Sequence, residues 1–414
     1  MEPTANLVVE ATWFEDFVST SVTTSSTSPH ASACHDGNRA SSDNRDDSFS
    51  ASAQKTAAHP SATRITIART QRSGRSASPV KAPSGLRFTA HKEIQYKGAL
   101  PATFEMRDLS AADTSLIRLL GRISTGQGIL PRCLGEEIGL LGDELSPVQP
   151  WMLAGENDDP LLTRDPLALL YELYDAYGIR ERSVRCDELE EAELAWSTHV
   201  HSPMLHLALK GRHTLQAETV SQASICRPLL PRDLSGRVVG DKMAGFCILF
   251  ANLEAEEPAV WHHIRGLVGK ERDEQLRTIN QSTSTSLVLQ PLAVAIATKA
   301  TSGSELEAKV QLQSCMFAWL ARMRRFLHLL GLNKRDQDAI MAKLSFPAII
   351  VNGSSWHLYL FRDTPTAVAM YKVVRLGDTN SLLGIYQLLA SLRVLATWAK
   401  GPFWTWFKQY ILAY

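Results

Sequence analysis

Lys299 closes an apolar run, Pro291-Leu292-Ala293-Val294-Ala295-Ile296-Ala297-Thr298-Lys299, and is its one charged residue. A run of that length, bounded by turn residues, predicts a buried strand. An ammonium group at the end of such a strand can steady negative charge developing on a phosphate or an attacking water. Side chains alternate along a strand, so Ala297 shares the face of Lys299. Downstream, Ser304 is placed to cap a helix that opens with Glu305 and Glu307. Acidic residues there complement the helix dipole. Gln311 and Gln313 follow on the same helix.

Other reactive side chains point to less. His199, His201, His206 and His213 lie at offsets of two, five and seven, which do not gather three imidazoles on one compact ligand face. They read as surface or core histidines. His262-His263 shows no HExxH pattern, and adjacent residues point in different directions on a helix. The six cysteines form no CxxC pair, which fits buried free thiols in a reducing, intracellular setting. No phosphate-binding glycine loop, dinucleotide fingerprint or nucleophile elbow is present.

Charge adds a local signal. Lys+Arg and Asp+Glu both number 43, so the chain as a whole has no bias toward polyanions. Between Ser48 and Lys92, however, there are eight Lys or Arg and no Asp or Glu, densest around Arg69, Arg72 and Arg75, with Lys81 beyond. This cationic arm suits phosphate-backbone contact or nuclear import, and it also reads as a solvated basic linker. It lies in a Ser/Thr/Ala-rich tail, residues 1–95, which predicts disorder apart from a short apolar patch at Leu7 to Phe17.

The elements that must hold Lys299 follow from periodicity. Residues 96–187 read as a helical preface, with order from about Leu109, a helix through Leu116, Leu119, Leu120 and Ile123, and another from Leu167 to Gly178. From 188 to 414 the pattern is a helix, broken or restarted at Ser202-Pro203, then strands at Thr214 to Cys226, Lys242 to Phe250 and Leu287 to Lys299. A helix follows over Glu305 to Leu330, then a hairpin around Asn352-Gly353, a strand at Met370 to Arg375 and a final helix from Leu382. Trp261 to Asn280 reads as a charged helix. Gln387, Ser391 and Arg393 interrupt the final helix, so no stretch is expected to reach membrane-spanning length.

That order, with the stretches Arg72 to Ser76, Gly128-Ile129-Leu130-Pro131, Trp196 to Ala208, Phe246-Cys247-Ile248, Pro291 to Lys299, Gln311-Leu312-Gln313 and Leu383 to Gln387, resembles the fungal PD-(D/E)XK nuclease-like proteins. The terminal Trp398-Ala399-Lys400 and Trp406-Phe407-Lys408 fit the same pattern. The resemblance implies an α/β (α+β) restriction-endonuclease-like core, a central mixed sheet flanked by helices. Active members hold Mg²⁺ through an Asp on one strand and a Glu on its neighbour, with a lysine two residues on. By that resemblance the Asp position falls on Gly245, the Glu on Ala297 and a helical Glu, three residues after Trp196, on His199. Lys299 is retained, with Gln311 or Gln313 as the following glutamine.

The expectation is therefore a degenerate nuclease-like domain acting as a nucleic-acid-binding or interaction module, with DNA or RNA as the partner class and no membrane, resident metal or small-molecule cofactor. The alternatives are a Mg²⁺- or Mn²⁺-dependent nuclease using Glu305 or Glu307 with Lys299, and a structural protein that binds no nucleic acid. Restoring Gly245→Asp and Ala297→Glu is expected to bring two carboxylates together beside Lys299.

Overall fold

The computed structural model describes residues 87–88, 92–99, 109–141, 148–154, 165–232 and 236–413. The expectations for the tail up to residue 86, including Arg69, Arg72, Arg75, Lys81 and the patch at Leu7 to Phe17, fall outside the described residues.

Among the described residues, eight strands form one mixed sheet: β1 (Arg87–Phe88), β2 (Lys92–Ala99), β3 (Leu215–Thr219), β4 (Phe246–Phe250), β5 (Leu292–Lys299), β6 (Phe346–Asn352), β7 (Ser355–Asp363) and β8 (Ala367–Asp378). Their spatial order is β1-β2-β8-β7-β6-β5-β4-β3. β5 runs parallel to β6 and β2 parallel to β8, while the other pairs are antiparallel. Every residue of β4 is buried, as is all of β5 except Lys299. These central strands are covered on both faces, which explains why they read as near-continuous apolar runs.

One face carries the helices Ala111–Ser124, Pro166–Glu188, Ser202–Leu209 and Leu382–Trp398, and the other carries Glu305–Leu329. The register assigns side chains to these faces. Thr298 lies beside Val351, which opposes Trp356, which opposes Gly377. A Cβ at Gly377 would meet Gly384, Gln387 and Leu388 of the helix Leu382–Trp398, so this row faces that helix. The alternate row, Ala297, Ile350 and His357, faces Glu305–Leu329.

Several expected boundaries shift, each for a physical reason. The tail was expected to extend to residue 95 and order to begin near Leu109, yet β1 and β2 place residues 87–88 and 92–99 in the sheet, where β2 pairs parallel with β8 and antiparallel with β1. The strand expected over Thr214 to Cys226 stops at Thr219; beyond it a single antiparallel bridge, Ser224 to Lys242, continues the pairing before the Cys226 N–H turns away to Gln281 O. β4 starts at Phe246 after a bend at Gly245.

The preface helix runs through Gly178 to Glu188, since its buried stripe of Leu173, Ala176, Ile179 and Ser183 continues past the glycine. Ser202-Pro203 begins no separately capped helix. A π turn, Ser197–His201, leads straight into Ser202–Leu209 without a side-chain cap. The charged helix ends at Gly269, and the chain beyond it is a loop held by buried Arg322. The helix Lys334–Met341, capped by Asn333, is an addition to the expected elements.

The helical stretch Leu382–Ile411 is long and apolar enough to cross a membrane by length and composition, contrary to expectation, and 72% of its apolar window is buried inside the fold. Its end packs Phe403 near Trp319 and Trp398, and Trp404 on Phe250, as a core helix does. Among the described cysteines, four are buried free thiols and Cys133 is exposed.

Candidate functional site

Lys299 ends β5 with its Nζ 3.1 Å from Glu193 Oε2. The other oxygen of Glu193 accepts a hydrogen bond from Thr298 Oγ1 at 3.3 Å. Glu193 opens the short helix Glu193–Trp196, whose Trp196 is fully buried and anchors it to the sheet. The carboxylate beside Lys299 is therefore neither Glu305 nor Glu307. Glu305 forms an i,i+4 ion pair with Lys309 at 2.9 Å. That hydrogen bond, with the charges of Lys309, Lys372 and His357, holds its carboxyl below the usual range against the opposing effect of burial. Glu307 is exposed, and its N–H is capped by Ser304. Both open the helix that covers the Ala297 face of the sheet, while Glu193 approaches with Thr298, and dipole complementarity accounts for them.

His199, expected at the helical carboxylate position, is exposed. Counting three residues forward from Trp196 leads out to solvent, whereas counting three back reaches Glu193, on the turn that meets β5. The legible signal was the acidic run Asp187 to Glu193 just before the tryptophan. A second carboxylate from that run, Asp187, accepts from Thr301 Oγ1 at 2.8 Å, and Thr301 in turn packs where a Cβ on Gly353 would sit.

Gly245 and Ala297 were expected to meet on neighbouring strands, and they do lie side by side, since Phe246 pairs with Ile296, but their side-chain directions differ. Ala297 is fully buried toward Glu305–Leu329. Gly245 is turned to the other face by its bend, and a Cβ built on it would lie 2.3 Å from Thr298 Oγ1. Its carbonyl accepts the Val220 N–H at 2.9 Å. The Gly245→Asp and Ala297→Glu pair therefore cannot rebuild one ligand set around Lys299 in this fold. We expect Gly245→Ala alone to lower stability by about 1–3 kcal/mol through overpacking, and Thr298→Ala in the same chain to recover most of that loss. Denaturant titrations of the two single variants and the double variant provide the check, and simply additive costs would discount the Thr298 contact.

The two glutamines also separate. Gln311 Nε2 donates to Met243 O at 2.8 Å, tying the helix to the chain that enters β4. Gln313 is fully buried, and both of its polar side-chain atoms lack partners among the described residues. Asp241, four residues before Gly245, is exposed and outside β4.

Beneath the Glu193 turn, His201 is buried between Trp196 and Trp356, with ring centroids 5.8 Å from each. Its Nε2 lies 2.9 Å from Gly353 O and, in that contact, donates, while Nδ1 has no partner among the described residues. Burial pushes its pKa down to about 4, so the ring is neutral at ordinary pH.

A PD-(D/E)XK nuclease superfamily family model matches residues 144–404. The chain belongs to the PD-(D/E)XK nuclease superfamily. The match takes in the helix Pro166–Glu188, assigned above to the preface, as well as the sheet from β3 onward. No curated protein and no solved structure matches the chain.

The superfamily's nucleases use divalent metal, and the residues beside Lys299 do not fit one. Mg²⁺ takes an octahedron of hard oxygen ligands. Among the described residues Glu193 is the single carboxylate on Lys299, and both its oxygens are engaged. Gly245 and Ala297 supply no side-chain ligand. Among the described residues, no three His, Cys, Asp or Glu come together as a metal site.

Proposed function

We propose that this chain, from the fungal branch of the superfamily, is a catalytically degenerate PD-(D/E)XK domain retained as a nucleic-acid-binding or interaction module. The reading rests on one observation: among the described residues the only carboxylate on Lys299 is Glu193, and its two oxygens are taken up by Lys299 Nζ and Thr298 Oγ1. A carboxylate so engaged neutralises the lysine that would otherwise stabilise a phosphate. Strand packing does not depend on the lost ligands, so the fold outlasts the chemistry. The cationic arm supplies the affinity for nucleic acid in this reading, in keeping with an intracellular and nuclear protein.

The test is cleavage of single- and double-stranded DNA and RNA by the purified full chain with Mg²⁺ or Mn²⁺. No metal-dependent cleavage is expected from the natural chain or from Lys299→Ala. Cleavage abolished by both Lys299→Ala and Glu193→Gln would overturn the degenerate reading in favour of an active nuclease using Glu193. Deleting residues 48–86 removes six of the arm's cations and leaves β1 and β2 intact. Nucleic-acid affinity is then expected to fall, and the salt slope to shrink by about 0.7–0.9 for each phosphate that the arm no longer neutralises. An unchanged slope would reduce the arm to a linker.

A further inference from the structure

The helix Pro166–Glu188 has two apolar faces, and the fold uses one. Leu169, Leu173, Ala176, Ile179, Ser183 and Cys186 are buried. On the opposite side lie positions 167, 171, 174, 178, 182, 185 and 189, whose spacings of 4, 3, 4, 4, 3 and 4 place them on one stripe. Its large apolar members are open to solvent: Leu167 is 54% exposed, Tyr171 58%, Tyr174 60% and Leu189 57%. Arg182 and Arg185 are also exposed, and neither has an ion pair among the described residues.

The spacings along this stripe are symmetric about Gly178, and the residue types on its two sides are complementary. In an antiparallel copy, residues equally far from Gly178 on either side come opposite one another. Tyr174 then faces the partner's Arg182, Tyr171 faces the partner's Arg185, and Leu167 faces the partner's Leu189. A guanidinium over a tyrosine ring is attractive, leucine against leucine buries apolar area, and each contact occurs twice, as a two-fold interface requires. Antiparallel helix dipoles also align favourably.

Gly178 is the second argument. A helix-interior glycine costs about 1 kcal/mol relative to alanine, and this one has no use within its own chain. A Cβ there meets nothing within 4 Å, and its φ is not positive. At the crossing point of two helices, by contrast, a missing side chain lets the backbones approach.

We propose that the outer face of Pro166–Glu188 is a two-fold docking surface for a second copy of this chain. The stripe from Leu167 to Leu189 is about 33 Å long at 1.5 Å per residue, which puts the contact at the small end of protein interfaces and makes the dimer concentration-dependent. Tyrosines and arginines on a helix also suit single-stranded nucleic acid. The symmetry about Gly178, which a nucleic acid strand does not require, favours a second copy.

The experiment is sedimentation velocity of the full chain over a wide concentration range, with three variants. The natural chain is expected to double in mass as concentration rises. Gly178→Leu, which its own fold accommodates, is expected to abolish the doubling with thermal stability unchanged or raised. Tyr174→Arg, which opposes the partner's Arg182, is expected to abolish it as well. Tyr174→Glu is expected to keep the dimer and make it salt-sensitive, because a carboxylate would then meet that arginine. The proposal is overturned if the natural chain stays monomeric throughout, if the dimer survives Gly178→Leu and Tyr174→Arg, or if the tyrosine variants change only the binding of a single-stranded oligonucleotide.

Discussion

Glu271→Ala is expected to lower the unfolding free energy by about 3–5 kcal/mol, the usual cost of removing one partner from a buried ion pair. Glu271 and Arg322 are both buried, and they meet through Arg322 Nη1 and Glu271 Oε1. Arg325 grips the same carboxylate with two bonds, Nε to Oε1 at 2.7 Å and Nη2 to Oε2 at 2.8 Å. Burial pushes the Glu271 carboxyl up, but the hydrogen bonds from Arg325 and Arg322 outweigh it and leave the pKa below the ordinary value. Its contribution is thus fully present above about pH 4.5 and is lost as pH falls through the lower native value. Arg322 also donates to Leu276 O and Thr278 O, so it organises the loop after Gly269 as well as neutralising Glu271. Without the carboxylate, a guanidinium would be left charged in the core with only carbonyls around it. The double variant Glu271→Leu, Arg322→Met, which removes both charges, is expected to cost less than Glu271→Ala. Urea titrations of the single and double variants measure both, and a Glu271→Ala cost below about 1 kcal/mol would place this network among surface-like pairs.

That network also marks where the sequence can be read and where it cannot. The central strands are legible because they are buried on both faces and carry unbroken apolar runs, as β4 and β5 do. Ser304 caps its helix, and the hairpin expected around Asn352-Gly353 forms one residue later, turning at Gly353-Ser354, because capping and turn chemistry are local. The loop from Lys270 to Ser284 reads as helix over most of its length, since its order comes from Arg322, about forty residues downstream. The site is hidden for a similar reason. Matching positions put the missing ligands at Gly245 and Ala297, and both do lack carboxylates, but only the tertiary structure reveals that the bend at Gly245 turns it toward Thr298 and away from Ala297. Glu193 is 106 residues from Lys299 in sequence, and no local pattern joins them.

Stability is expected to fall steeply as pH drops from 6.5 toward 4, with His201 responsible for a distinct share of the slope. The native ring titrates at about 4 because burial disfavours its cation, while the unfolded chain takes up the proton near 6.5. Between these values the unfolded state holds the extra proton, so stability rises with pH through the window and is fully present above 6.5. One proton corresponds to about 1.4 kcal/mol per pH unit, or about 3 kcal/mol across the window. Geometry supplies the cause. Nε2 donates to Gly353 O, and a proton on Nδ1 would face two tryptophans with no acceptor among the described residues. His357 is also lowered to about 4, by burial and then by the charges of Lys372 and Arg375, but it is half-exposed and its share is reduced by solvent screening. His201→Gln keeps a donor for Gly353 O and removes the titration. Chemical denaturation at several pH values between 5 and 7 should show the variant's slope reduced by about 1.4 kcal/mol per pH unit near pH 5, with the difference fading as pH rises past 6.5. Parallel slopes in the two proteins would mean that His201 is not buried as a neutral ring and that the Gly353 hairpin is held by something else.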